Sequence, residues 1–330
     1  MLAILSLAGW ALLGGGLATA APSVAPVDAP PEWVARAPET GSRVELVEPG
    51  TAPRAPLRLG PSLGARQGVV IELDVGLSMT LGGVALPSEP LPPQTVALGI
   101  EITGVTAEEV VYVATVQRVS VSEGPLPEAT KAALDSLVGA AVEVRLDLQG
   151  RLRSARPMPG AAVLPAAAES LGRIYESAAA LTPTLPTEPV GVGAQWVVLQ
   201  RAAPGGFPVA VRERSTLASR DGELLVIERE TEQALIDPAG SMAGLPDGAF
   251  SRFLVFYAGG ASMGRHHLGW IGPERAAEAT DLDATVSLEM PGEPPRSLRV
   301  ELRARKGVQS GPAAVSDPAP SPPPDPAAAP

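Results

Sequence analysis

Hydrophobic and polar residues alternate one by one along several stretches of this chain, which is the signature of half-buried strands. From Gly68 to Leu81, Val69, Ile71, Leu73 and Val75 share one face while Val70, Glu72 and Asp74 share the other. Val96 to Ile102 and Val110 to Val121 read as two more strands joined by a turn near Ala107-Glu108. The second of these is valine-rich on both faces, as expected of a central strand. Val142, Val144, Leu146 and Leu148 alternate with Glu143, Arg145, Asp147 and Gln149, and Gly150 turns the chain back into Arg151-Leu152-Arg153. Further on, Trp196 opens a strand, Leu224 to Glu232 follows a turn at Asp221-Gly222, and Phe250 to Tyr257 is apolar on both faces. The last hairpin is the cleanest. Leu282, Ala284, Val286, Leu288 and Met290 point inward, and Leu298, Val300, Leu302 and Ala304 do so after a turn at Pro291 to Arg296. Its outward faces set Asp281, Asp283 and Glu289 against Arg299, Arg303 and Arg305, a complementarity that helps fix register.

Helical spacing occurs twice. Leu164, Ala168, Leu171, Ile174, Tyr175, Ala178 and Leu181 form one stripe, which predicts a long helix over Val163 to Leu181 covering a sheet face. Pro127 to Leu137 predicts a short helix, with Pro at its start and Glu128 in the first turn. After the long helix comes Leu185 to Val198, where Pro186 and Pro189 forbid further helix and Gly191 and Gly193 permit a sharp turn before a buried Trp196. This stretch is the seam between two halves, 56–158 and 186–306, with the helix at 163–181 between them. Each half reads as strands, a Pro-rich loop, an excursion and a closing hairpin, although no strict period repeats. The fold expected is mainly β: a strongly curved antiparallel sheet or partly open β-barrel built from two similar halves, with one long and one short helix.

The chain's ends differ from this middle. Met1 to Ala20 is uncharged and apolar and closes on Ala18-Thr19-Ala20, which reads as a secretory signal cleaved after Ala20. Residues 21–55 are rich in Pro and Ala without period and read as a disordered tether; 307–330, with its run of prolines, reads as a disordered tail. The folded part expected is therefore 56–306, in a protein exported to the periplasm or the exterior.

Composition narrows the function classes. A net charge of −11 with no basic cluster argues against nucleic acid as a partner. The absence of cysteine removes disulfides, thiolate catalysis and Cys-ligated zinc, so the exported chain relies on a sizeable core. Aromatics are only 3% of residues, which makes the local grouping of Phe250, Phe253, Phe256, Tyr257 and Trp270 conspicuous. Apolar, aromatic-lined concavities are where hydrophobic ligands bind, and these five are the expected ligand-contacting set.

One catalytic pattern has to be weighed. Gly260-Ala261-Ser262-Met263-Gly264 matches the nucleophile elbow of α/β-hydrolases. The residues after it show no helical stripe, and the βαβ alternation of that fold is missing. The only histidines, His266 and His267, lie too near in sequence to act as a base from a distant loop. As neighbours on a strand they point to opposite faces and are poorly placed to share a metal ion. Glu228, Glu230 and Glu232 share a face that reads as solvated surface. Neither catalytic residues nor metal nor cofactor are expected.

The layout resembles a family of uncharacterised secreted bacterial β-rich proteins. The resemblance is carried by Leu57, Leu59 and Gly64 at the opening, Asp147 and Gly150 in the middle hairpin, and the seam Glu188-Pro189-Val190-Gly191-Val192-Gly193-Ala194-Gln195-Trp196. In outline it is similar to lipoprotein-carrier folds, which implies a curved sheet around a hydrophobic cavity capped by helices. The leading expectation is a non-enzymatic envelope protein binding a hydrophobic small molecule or lipid. The alternative is a structural or protein-interaction module of the envelope with a solid core, partnered by another envelope protein. A serine hydrolase using Ser262 comes third.

Overall fold

The computed structural model describes residues 30–87, 92–122, 127–160, 162–203, 208–240, 250–289 and 294–312. Strands β1 (Ser42–Glu48), β2 (Arg66–Leu81), β3 (Val84–Ala85), β4 (Gln94–Val105) and β5 (Glu109–Val121) lead into helix α1 (Glu128–Asp135). Strands β6 (Ala141–Asp147) and β7 (Leu152–Pro157) form a hairpin before helix α2 (Ala168–Ala179). Then follow β8 (Gln195–Ala202), β9 (Val209–Asp221), β10 (Leu224–Leu235), β11 (Ala239–Gly240), β12 (Phe250–His267), β13 (Arg275–Glu289) and β14 (Arg296–Pro312).

Among the described residues these make one antiparallel sheet in the order β1-β8-β9-β10-β12-β13-β14-β2-β4-β5-β6-β7, with β3 and β11 as short additions. The sheet curls into a nearly closed barrel, as the alternation predicts. Each half is a meander of sequential neighbours. The long pairing of β14 with β2, from Leu298↔Leu81 to Pro312↔Gln67, joins the halves.

The inner face is set by period two. On β13 the even positions from Ala276 to Val286 point inward, and on β14 those from Leu298 to Ser310. The outward faces carry Asp281, Asp283, Arg299 and Arg303. Arg299 lies 2.9 Å from Asp283 on the diagonal and Arg303 lies 3.9 Å from Asp281. Two of the expected cross-strand charge pairs therefore form, one displaced by a diagonal step.

Helix α2 packs on the first half, with Ile174 and Ala178 in the same cluster as Ile100, Tyr112 and Val144. The Tyr112 hydroxyl donates to the Ala178 carbonyl at 2.8 Å, and full burial pushes its pKa up. The long helix is shorter than its stripe suggests: Pro165 opens a 3-10 turn and Leu164 is exposed, so the α-helix begins at Ala168.

The seam closes the lower end of the barrel, where β8 begins and β12 ends. Trp196 is fully buried and its indole Nε1 donates to the Thr184 carbonyl at 2.9 Å. Residues 49–55 run against 190–194, bonded from Thr51 to Val192, from Gly191 to Pro49 and across Ala55 and Val190. Gly191 lets the Thr51 carbonyl approach where a Cβ would sit. Two more backbone bonds, Leu59 to Leu148 and Leu185 to Gln149, tie this closure to the β6–β7 turn.

Two expected boundaries need correction. The tether expected over 21–55 holds a 3-10 helix at Glu32–Arg36 and strand β1. Trp33 and Val34 pack with Leu199, Ala210 and Ala234 on the outer sheet face, while Val44 and Leu46 join the inner cluster around Trp196. Composition averaged over a long Pro/Ala-rich window hides such short apolar pairs. Residues 307–312 of the expected tail belong instead to β14, which stays paired with β2 as far as Pro312. The segment 1–20 expected to be a signal, Met290 of the last hairpin and residues 313–330 lie outside the described residues.

Candidate functional site

The five aromatic residues do not form one patch. Strand β12 is 18 residues long, on the order of 60 Å, which separates Phe250 from Trp270 by most of the molecule. A register shift between Phe253 and Val255 also changes which positions face inward. Phe253 pairs with Val286 and Phe256 with Ala284, so both face inward; their rings meet edge-on with centroids 5.6 Å apart. Phe250 pairs with Glu289 and is 43% exposed, and Tyr257 pairs with Asp283 on the outward face. Partial burial, then the carboxylates of Asp281 and Glu232, raise the Tyr257 pKa. Trp270 sits beyond the lower end of β12 against His267, at 5.8 Å between ring centroids, and lines a depression of about 440 Å³ with Arg66 and Glu223.

Ser262 lies in the middle of β12, not at a strand-to-helix turn, so the elbow geometry does not form. Its Oγ accepts from Arg229 Nε at 3.0 Å. His266 shares the inward face and is buried; burial first and Arg229 second lower its pKa to about 3. His267 faces the other way, its Nε2 3.6 Å from Glu223.

What the sequence reading missed is a polar layer inside the barrel. Register aligns Ser215, Arg229, Ser262, Glu278 and Lys306 in one inward-facing row across β9, β10, β12, β13 and β14. The next row toward the upper end holds Glu213, Thr231, Gly260 and Thr280. Arg229 Nη1 lies 3.5 Å from Glu213, whose other oxygen accepts from Ser215 Oγ at 3.1 Å. Lys306 Nζ lies 3.4 Å from Glu278, with their side chains 6% and 11% exposed. The layer is thus balanced, two cations by two carboxylates. A signal for it exists in the sequence: the even-numbered inward series Leu298, Val300, Leu302, Ala304 continues directly into Lys306.

Above this layer the inner wall turns apolar. Val211, Leu235, Phe253, Leu282, Val286 and Val300 are buried there, while Leu77, Met79, Leu81, Phe256 and Leu288 remain only partly covered. Between wall and polar layer sits Gln233, flanked in register by Val211 and Ala258 and 4% exposed. Neither its Oε1 nor its Nε2 has a hydrogen-bond partner among the described residues. A second depression, about 630 Å³, lies along β8, β9, β10 and β12, where the exposed Arg214, Glu228, Glu230 and Met263 mark the outward face.

No family model matches the chain, and no curated protein matches it. Among solved structures it is similar to the crystal structure of an outer membrane channel from Pseudomonas putida F1, at 12% identity over 77% of this chain and 98% of that one, with a TM-score of 0.20. A likeness of that size carries no argument about this chain.

Proposed function

We propose that this is an exported, non-enzymatic binding protein that holds a hydrophobic molecule against the upper inner wall of its curved sheet. The observation that carries the reading is the apolar wall itself, concave and left partly uncovered at Leu77, Met79, Phe256 and Leu288. Incompletely covered apolar surface on a concave face is what a hydrophobic ligand buries. Helices α1 and α2 pack on the first half and take no part in the upper wall. Export rests on the apolar Met1 to Ala20 segment alone.

The direction of alternation supports a water-filled setting over a transmembrane one. A barrel that spans an outer membrane carries its apolar band outward. Here Arg299, Arg303, Asp281 and Asp283 occupy the outward face of β13 and β14 and the leucines and valines face inward.

The test is a fluorescence titration of the full chain with the neutral hydrophobe N-phenyl-1-naphthylamine. Saturable binding is expected, weakened about tenfold or more by Phe256→Ala, the cost of about 1.4 kcal/mol of lost contact. Phe250→Ala, on the outward face, leaves it unchanged. Absence of saturable binding overturns the reading and leaves the solid-cored interaction module in its place.

A further inference from the structure

We infer that the Gln233 carboxamide is the head-group contact of this site and selects a neutral amphiphile whose head both donates and accepts hydrogen bonds, such as a long-chain primary amide or alcohol. The inference rests on the ligand-binding reading above and adds the class of ligand. Gln233 stands at the boundary between polar layer and apolar wall, one row above Glu213 and Thr231 and one below Leu235. Buried amides are satisfied in nearly all folded proteins, because leaving both ends unpaired costs stability. Gln233 is 4% exposed, and both ends of its amide are unpaired among the described residues. Its neighbours on β12, Ala258 and Gly260, are small and bring no hydrogen-bonding side chain to the amide. A head group resting there would meet one acceptor and two donor hydrogens.

Charge decides what kind of head. The two nearest cations of the layer below, Arg229 and Lys306, are already matched by Glu213 and Glu278 at 3.5 and 3.4 Å. Among the described residues no net positive charge faces the site, so a carboxylate or phosphate would be desolvated without a counter-ion. A carboxylate could also use only Nε2, leaving its own oxygen turned toward Oε1. A primary amide or a hydroxyl pairs with both ends, while its alkyl chain lies along Phe256 and Leu288.

The experiment displaces N-phenyl-1-naphthylamine from the full chain with oleamide and with oleate at about pH 8, where the oleate carboxyl is ionised. Oleamide is expected to displace the probe at a concentration about tenfold lower than oleate. Gln233→Leu, which keeps the volume and removes the amide, should shrink that preference to within about threefold, each displacement being referred to the variant's own probe affinity. Gln233→Met serves the same purpose should the leucine variant fail to fold. Equal displacement by the two ligands in the wild type, or a preference that survives in the variants, overturns the inference and leaves the binding reading intact. A wild-type chain that takes up no probe overturns both.

Discussion

Lys306 and Glu278 face each other directly across the β13–β14 pair, on the inner side of the barrel, with Nζ 3.4 Å from Oε2. The pair sits in a row with Arg229 and Ser262, between the apolar residues Leu217, Leu225 and Ile227 below and the apolar wall above. A buried charge loses hydration, and only its partner offsets that loss. Lys306→Met should therefore destabilise the chain by about 3–5 kcal/mol, since Glu278 is left buried and alone. The double variant Lys306→Met, Glu278→Leu should recover most of it. Urea unfolding of the four proteins closes the cycle; a double-variant loss equal to the sum of the two single losses would mean that the pair is not coupled.

Gly150 tests the closure of the lower end. Its φ is +79°, and a Cβ there would collide with the Pro183 carbonyl. Asp147 braces the same turn, accepting from the backbone N–H of Gln149 and Arg151 at 3.0 and 2.9 Å. Gly150→Ala carries both left-handed strain and a clash and should cost well over about 1 kcal/mol. Gly139 has a similar φ of +86° but open space around it. Gly139→Ala should cost only about 1 kcal/mol, the strain alone. Thermal unfolding of the two variants separates the contributions, and equal losses would deny the close approach of residues 182–185.

Trp33 fastens the N-terminal segment to the outside of β8, β9 and β10. It is 7% exposed, and the Arg212 guanidinium stacks 5.0 Å above its ring while also pairing with Glu232. Trp33→Ala should cost about 3 kcal/mol locally. The readout is limited proteolysis: cleavage between residues 36 and 42 is expected to accelerate, with the rest of the barrel intact. Cleavage at the wild-type rate would show that β1 alone holds this segment.

His266 gives the fold an acid sensitivity with a defined sign. Burial, then Arg229, lowers its folded pKa to about 3 from 6.5, so the folded state favours the neutral ring. Its contribution is fully present above the unfolded pKa and is lost as pH falls from about 6.5 toward 3, at up to about 1.4 kcal/mol per pH unit. His266→Gln should flatten the stability profile between about pH 6 and pH 5, above the range where carboxylates titrate. Superimposable profiles would contradict the buried neutral ring.

Much of the fold is written in local pattern. The alternation of β2, β10, β13 and β14 needs no tertiary knowledge, and the prolines and glycines before Trp196 mark the seam because they restrict or free the backbone. The candidate site was less legible, for two reasons. Phe250, Phe253, Phe256 and Tyr257 are close in sequence, but strand parity and one register shift send two inward and two outward. The polar layer, in turn, is built from isolated inward positions on separate strands, which only register brings into a row. Lys306 breaks an apolar series at one place and Arg229 opens a polar stretch that runs on through Thr231 and Gln233, and such a break means little until its cross-strand neighbours are known. The N-terminal strap was hidden because two apolar residues among prolines do not shift a composition window.

Native mass spectrometry of the full chain, purified without detergent and followed by organic extraction, tests the central claim most directly. The account predicts one bound neutral amphiphile per chain, released by extraction and markedly depleted in Phe256→Ala. A bare chain of the calculated mass that takes up neither added oleamide nor N-phenyl-1-naphthylamine would contradict it.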